Sequence, residues 1–206
     1  MAELRKVVQL LNSILRDNVS DPLEGHRTDP VWVLYTTPEK DALLEETPLI
    51  SIKLAGSTVS EIGWNAIADV TRDNLLHKDL GYTKGYKHNN TYQITIWVKR
   101  KEPVLVTNPR YGITNEKFSG LKMCDYMAEQ ILDALMQSRE YLRTQGVIYS
   151  SVEGYNEPTY DAHTNMYTKS ITFLVVIDTL YGDEQDAIGK IEEDINSIYQ
   201  QHITIQ

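Results

Sequence analysis

Apolar positions fall along this chain in two rhythms, one helical and one alternating. Leu4, Val7, Val8, Leu11, Ile14 and Leu15 recur as one helical stripe, with Arg5, Lys6, Gln9, Asn12 and Arg16 on the other side. This predicts an amphipathic helix over residues 4–16 that stops near Asp17 and Asn18, because Ser20, Asp21, Pro22 and Gly25 are turn formers. Asp29-Pro30 then introduces a β-branched and aromatic strand at residues 31–35, halted by Pro38. A second strand is expected at residues 49–54, entered through Pro48 and left at Gly56. Residues 92–99 form the cleanest strand: Tyr92, Ile94, Ile96 and Val98 alternate with Gln93, Thr95, Trp97 and Lys99. One face is apolar and the other mostly polar, as in a sheet that helices cover on one side.

The longest helical pattern, residues 118–145, places Leu121, Cys124, Met127, Ala128, Ile131, Leu135 and Leu142 on one face. Asp125, Glu129, Asp133, Gln137 and Arg143 lie opposite, and Gly146 is the stop. Strands are expected at residues 147–152 and 167–180, followed by an acidic helix that Asp183 caps and whose Ile188, Ile191, Ile195 and Ile198 face inward.

Three segments lack a rhythm. Residues 62–76 mix helix and strand spacings, and the polar stretch 81–90, with its glycines and tyrosines, reads as a loop. Residues 103–112, bracketed by Pro103 and Pro109, also read as a loop, as does 153–165. Residues 57–90 and 153–165 are expected to project and to be ordered by neighbours. The fold class that follows is α+β: a mixed or antiparallel sheet of about five strands, covered by an N-terminal helix, one long central helix and a C-terminal helix. Its strands are the runs at Val31, Leu49, Tyr92, Val147 and Ile171, and residues 1–206 form a single domain with an inserted loop region at 57–90.

Composition narrows the function. A net charge of −9 argues against wrapping a nucleic acid backbone, which needs clustered cations. The lone Cys124 cannot pair within the chain, pointing to a reducing compartment or to indifference to redox. Met1 is followed by Ala-Glu-Leu-Arg-Lys, so no secretory signal is expected. The densest apolar run, residues 171–177, is too short to span a bilayer, and no membrane partner is expected. The charge is unevenly spread. Residues 81–101 hold Lys84, Lys87, Lys99, Arg100 and Lys101 and no acid; the last segment holds Asp183, Glu184, Asp186, Glu192, Glu193 and Asp194 against Lys190.

No zinc-protease, Cys-x-x-Cys, nucleophile-elbow, P-loop or dinucleotide motif occurs. His26, His77, His88, His163 and His202 are scattered and read as exposed loop histidines. His77 with Asp79, and Asp161 with His163, place acid and base two apart without a tied nucleophile. Cys124 reads as a packing cysteine. Glu192, Glu193 and Asp194 point about 100° apart on a helix, so they read as a solvated face rather than an ion site. No catalytic, cofactor-binding or metal-binding residue is expected, and the chain does not read as an enzyme. Tyr82, Tyr86, Lys84 and Lys87 combine aromatics with cations, as single-strand nucleic acid binders and protein contact loops both do. The overall acidity favours protein contact.

The order of elements, the basic Lys99-Arg100-Lys101 ending the third strand, the long helix between the halves of the sheet and the loop Tyr155-Asn-Glu-Pro-Thr-Tyr160 together carry a resemblance. The chain resembles the tail terminator (tail completion, tail-to-head joining) proteins of long-tailed viruses. The resemblance implies a virion subunit, assembled in the host cytoplasm, that forms a hexameric ring in the tail or neck. Such a ring caps the tail tube, ends its polymerisation and joins it to the head connector, with no covalent chemistry and no cofactor. Its partners would be its own copies, the tail tube protein and the head–tail connector, with genomic DNA only passing through the lumen. Other readings are another neck or tube component of a virion or injection machine, a small enzyme with His77 and Asp79 beside a lid at 81–90, or a nucleic-acid-binding module using that loop.

A ring needs two different surfaces on each subunit. The candidates are a basic one with Tyr82, Lys84, Tyr86, Lys87, Trp97, Lys99, Arg100 and Lys101, and an acidic one with Asp186, Glu192, Glu193 and Asp194.

Overall fold

A computed structural model describes residues 2–24, 26–27, 30–35, 47–61, 67–73, 78–99, 103–162 and 165–182. The chain divides into two compact units, Met1–Ser57 with Asn90–Val176, and Thr58–Asn89 with Ile177–Gln206. In chain order the elements are α1 (Ala2–Asn18), β1 (Val33–Leu34), β2 (Leu49–Glu61), β3 (Ile67–Asp73), β4 (Lys78–Lys99), β5 (Val104–Asn108), β6 (Ile113–Phe118), α2 (Gly120–Gln137), α3 (Arg139–Thr144), β7 (Val147–Tyr155), β8 (Thr159–Asp161) and β9 (Met166–Gly182).

Among the described residues seven strands form one sheet, in the order β1-β2-β4-β9-β7, with β3 on β4 and β8 on β9. It is mixed: β1 runs parallel to β2 through Val33 opposite Ile50, whereas β8 runs antiparallel to β9 through Tyr160 opposite Tyr167. The five periodic runs of the sequence are the five strands of that path. Tyr92, Ile94, Ile96 and Val98 of β4 are buried, as are Ile171, Phe173 and Val175 of β9. Lys169, in phase with Ile171, reaches Asp125 of α2 at 2.7 Å, which marks this face as the one under α2. The opposite phase is polar and self-paired: Thr95 and Ser170 hydroxyls lie 3.0 Å apart, and Trp97 Nε1 donates to Ser51 Oγ at 2.9 Å.

α1 lies against α2 and β1 and buries Val7, Leu11, Ile14 and Leu15. Asn12, assigned to its polar side by periodicity, is buried too, because its side-chain amide donates to the Val33 carbonyl at 2.9 Å.

Several expectations are corrected. The long helix breaks at Ser138 into α2 and α3, where ψ is 3° instead of the helical value of about −42° and the helical path is interrupted. Leu121 is 51% exposed rather than part of the core. The buried arc of α2 is centred on Met123, Met127 and Ile131, and Leu121 falls at its margin. Val31 and Tyr35 are exposed, so β1 is shorter than the apolar run that predicts it. Residues 103–112 are not all loop: β5 takes Val104–Asn108 and pairs antiparallel, as a separate two-stranded sheet, with β6, which runs to Phe118, the expected first residue of the long helix. Part of 153–165 is strand as well, since β7 continues to Tyr155 and β8 joins β9.

The clearest correction is the tyrosine-containing stretch 81–90, which lies wholly within β4. In the second unit, β3 pairs with it antiparallel, with Thr71 opposite Gly81, Val70 opposite Tyr82 and Ile67 opposite Lys84. Backbone pairing of this kind requires no apolar alternation, which is why the pattern did not reveal it. The expected acidic C-terminal helix lies outside the described residues.

Candidate subunit interface

The functional candidates in the first unit gather where β4 ends. After α1, Asp21 turns the chain by accepting from the Leu23 N–H at 3.0 Å. Arg27 then grips Asp21 with two hydrogen bonds, 2.5 and 2.7 Å, and donates to the Pro48 carbonyl at 2.5 Å. The side chains of this pair are only 4% and 13% exposed, and the fork geometry suits a planar guanidinium. The grip fixes Pro48, and the neighbouring Thr47 Oγ1 accepts the Lys99 N–H at 2.9 Å. The end of β4 is thus tied to the turn that follows α1.

Facing this strand end stands the β5–β6 hairpin, held on α2 by polar tethers. Asn108 donates to Tyr126 Oη at 2.8 Å, Tyr111 donates to Asp133 at 2.8 Å, and Arg110 donates to Gln137 at 2.9 Å. The Phe118 and Tyr126 rings add a tilted contact at 4.9 Å. Between hairpin, strand end and the first turn of α2 opens a cleft of about 310 Å³, walled by Leu23, Pro48, Val98, Val104, Phe118 and Met123. Among the described residues Lys99 is the one charged residue lining it.

Of the residues singled out by sequence, Lys99 and Trp97 belong to this unit. Lys99 is half-buried at the cleft, and Trp97 is half-buried with its indole N–H committed to Ser51. Lys84, Tyr82, Tyr86 and Lys87 lie on β4 in the second unit, in a strand rather than in the expected loop. Arg100, Lys101, Asp186, Glu192, Glu193 and Asp194 lie outside the described residues. His77 also lies outside them, and Asp79 sits within β4, paired opposite Arg72.

Sequence reasoning missed the cleft, whose walls come from five separate segments. It also missed the edge of the sheet. β7 ends the strand order, and among the described residues no strand pairs along its outer side. Its nine residues include one charge, Glu153, while Ile148, Tyr149 and Tyr155 are 47%, 52% and 61% exposed.

No protein-family model matches the chain, and no curated protein matches it. Among solved structures, the chain is similar to the sheath/tube terminator, in its extended state, of the PVC extracellular contractile injection system, with a TM-score of 0.46 and 16% identity. The match covers 86% of this chain and 57% of that one, so the chain spans a little over half the length of that protein.

Burial, and then the Asp125 carboxylate, pushes the Cys124 thiol up to about 12, with Lys169 pulling the other way. Burial likewise raises the Tyr92 phenol to about 12. Among the described residues no three His, Cys, Asp or Glu side chains gather as metal ligands, and no helix is long and apolar enough to cross a membrane.

Proposed function

We propose that this chain is a structural subunit that assembles with its own copies into a ring, caps the tube of a tail-like assembly and ends its polymerisation. In a virion the same ring would be hexameric, sit in the tail or neck and join the tube to the head connector, with DNA only passing through its lumen. The observation that carries the assembly part is the β7 edge. A nine-residue edge strand with one charge, three exposed large apolar side chains and, among the described residues, no strand on its outer side would offer its backbone donors and acceptors to another chain. Monomeric proteins blunt such edges with lysines, prolines or bulges, and β7 carries none of the first two. The terminating role is supported by the order of elements that carries the resemblance. It is also supported by charge, since an acidic ring would not hold phosphates as DNA passes.

The test is direct. The purified chain should run as a closed oligomer by multi-angle light scattering and appear as rings in negative stain. Added to growing tubes, it should shorten them. A monodisperse monomer at every concentration would overturn the reading.

A further inference from the structure

We infer that the cleft beside Lys99 is the socket for the acidic, isoleucine-rich segment 183–198 of a second copy of this chain. The inference rests on the ring reading and names the contact that would close the ring.

The cleft is a recess with a chemical bias. Phe118 and Met123 are nearly inaccessible, at 4% and 1%, and with Leu23, Val98 and Val104 they make its walls apolar. Among the described residues the single charge is the Lys99 ammonium, and Arg100, Lys101 and one acid, Glu102, follow it in sequence. At about 310 Å³ it lies at the small end of binding-pocket sizes, suited to a few side chains rather than a folded surface. Apolar walls beside a cation select aliphatic side chains flanked by carboxylates. Residues 183–198 have that composition: Ile188, Ile191, Ile195 and Ile198 are interleaved with Asp186, Glu192, Glu193 and Asp194. Socket and segment are different parts of the chain, so their contact between copies is heterologous and repeats around a ring. The carboxylates would steer the approach and the isoleucines would hold it, because exposed charge pairs add little affinity while buried apolar anchors add most.

The experiment places a photo-crosslinking benzoyl-phenylalanine at Val104 of the full chain and mixes it with isotopically heavy wild-type copies before irradiation. Mass spectrometry should find light-to-heavy crosslinks from position 104 into residues 183–198. Should the Val104 variant melt early, Ser119, exposed and also lining the cleft, takes the probe instead. As a second arm, Val104→Trp, filling the recess, should lose ring assembly while keeping the melting temperature. Crosslinks confined to one copy, crosslinks to any other partner or segment, or rings that persist in Val104→Trp would overturn the socket and leave the ring reading standing. Absence of any oligomer in the wild type would overturn both.

Discussion

Cys124 has no accessible surface on α2, and the elevated thiol follows from that burial. The thiolate is the reactive form, so at pH 8 the native protein should not react with a disulfide reagent, and should react fully once denatured. Fast reaction in the native state would mean that α2 is not packed as described. The sign of the pH dependence follows. A thiol raised from 9.0 to about 12 contributes stability that is complete below pH 9 and is lost as pH climbs toward 12. Tyr92, raised from 10.0 to about 12, acts the same way from pH 10 upward, so melting temperature should fall on the alkaline side. At this scale the sequence was legible in phase but not at margins. The stripe of the long helix identified Met127, Ile131 and Leu135 as core yet included Leu121, which is exposed, and the stripe of α1 excluded Asn12, which is buried. Periodicity tells which way a side chain points, not how far the neighbouring element reaches or which polar group finds a carbonyl.

At the start of α2, Gly120 adopts φ +48°, and a Cβ there would lie 2.8 Å from the Tyr167 ring. Gly120→Ala therefore adds a left-handed alanine, about 1–2 kcal/mol, to the displacement of a ring. The expected loss is roughly 1–3 kcal/mol in urea unfolding, with an unchanged m-value. A neutral result would show that the first turn of α2 can rearrange freely. The same turn closes one side of the cleft, so the glycine serves the site as well as the helix. Elements built on burial were legible, since all five strands of the main path announce themselves by apolar runs. Those built on backbone pairing were not: residues 81–90 of β4, the β5–β6 hairpin and β8 carry polar or bulged sequences. The tethers that hold the hairpin to α2, such as Asn108 to Tyr126 and Tyr111 to Asp133, span 18 and 22 residues and leave no local pattern.

For the whole molecule, the asymmetry of charge was plain in the sequence, while the recess beside it was not. Leu23, Pro48, Val98, Val104, Phe118 and Met123, distant in sequence, converge where the Arg27–Asp21 pair holds Pro48 and the hairpin packs on α2. Charge alone would steer copies together over roughly 10 Å at 0.1 M salt, and exposed pairs contribute only about 0.2–1 kcal/mol each. Two consequences separate steering from holding. Raising the salt should slow ring formation more than it weakens a finished ring, because screening acts on the approach and spares buried apolar contacts. Reversing Lys99, Arg100 and Lys101 to glutamate should slow or abolish assembly, followed by time-resolved light scattering. Reversing Asp186, Glu192, Glu193 and Asp194 to lysine in the same chain should partly restore it, since the signs match again with the walls of the recess untouched. If the triple glutamate variant assembles as readily as wild type at low salt, the basic strand end and the acidic segment do not meet, whatever surface closes the ring.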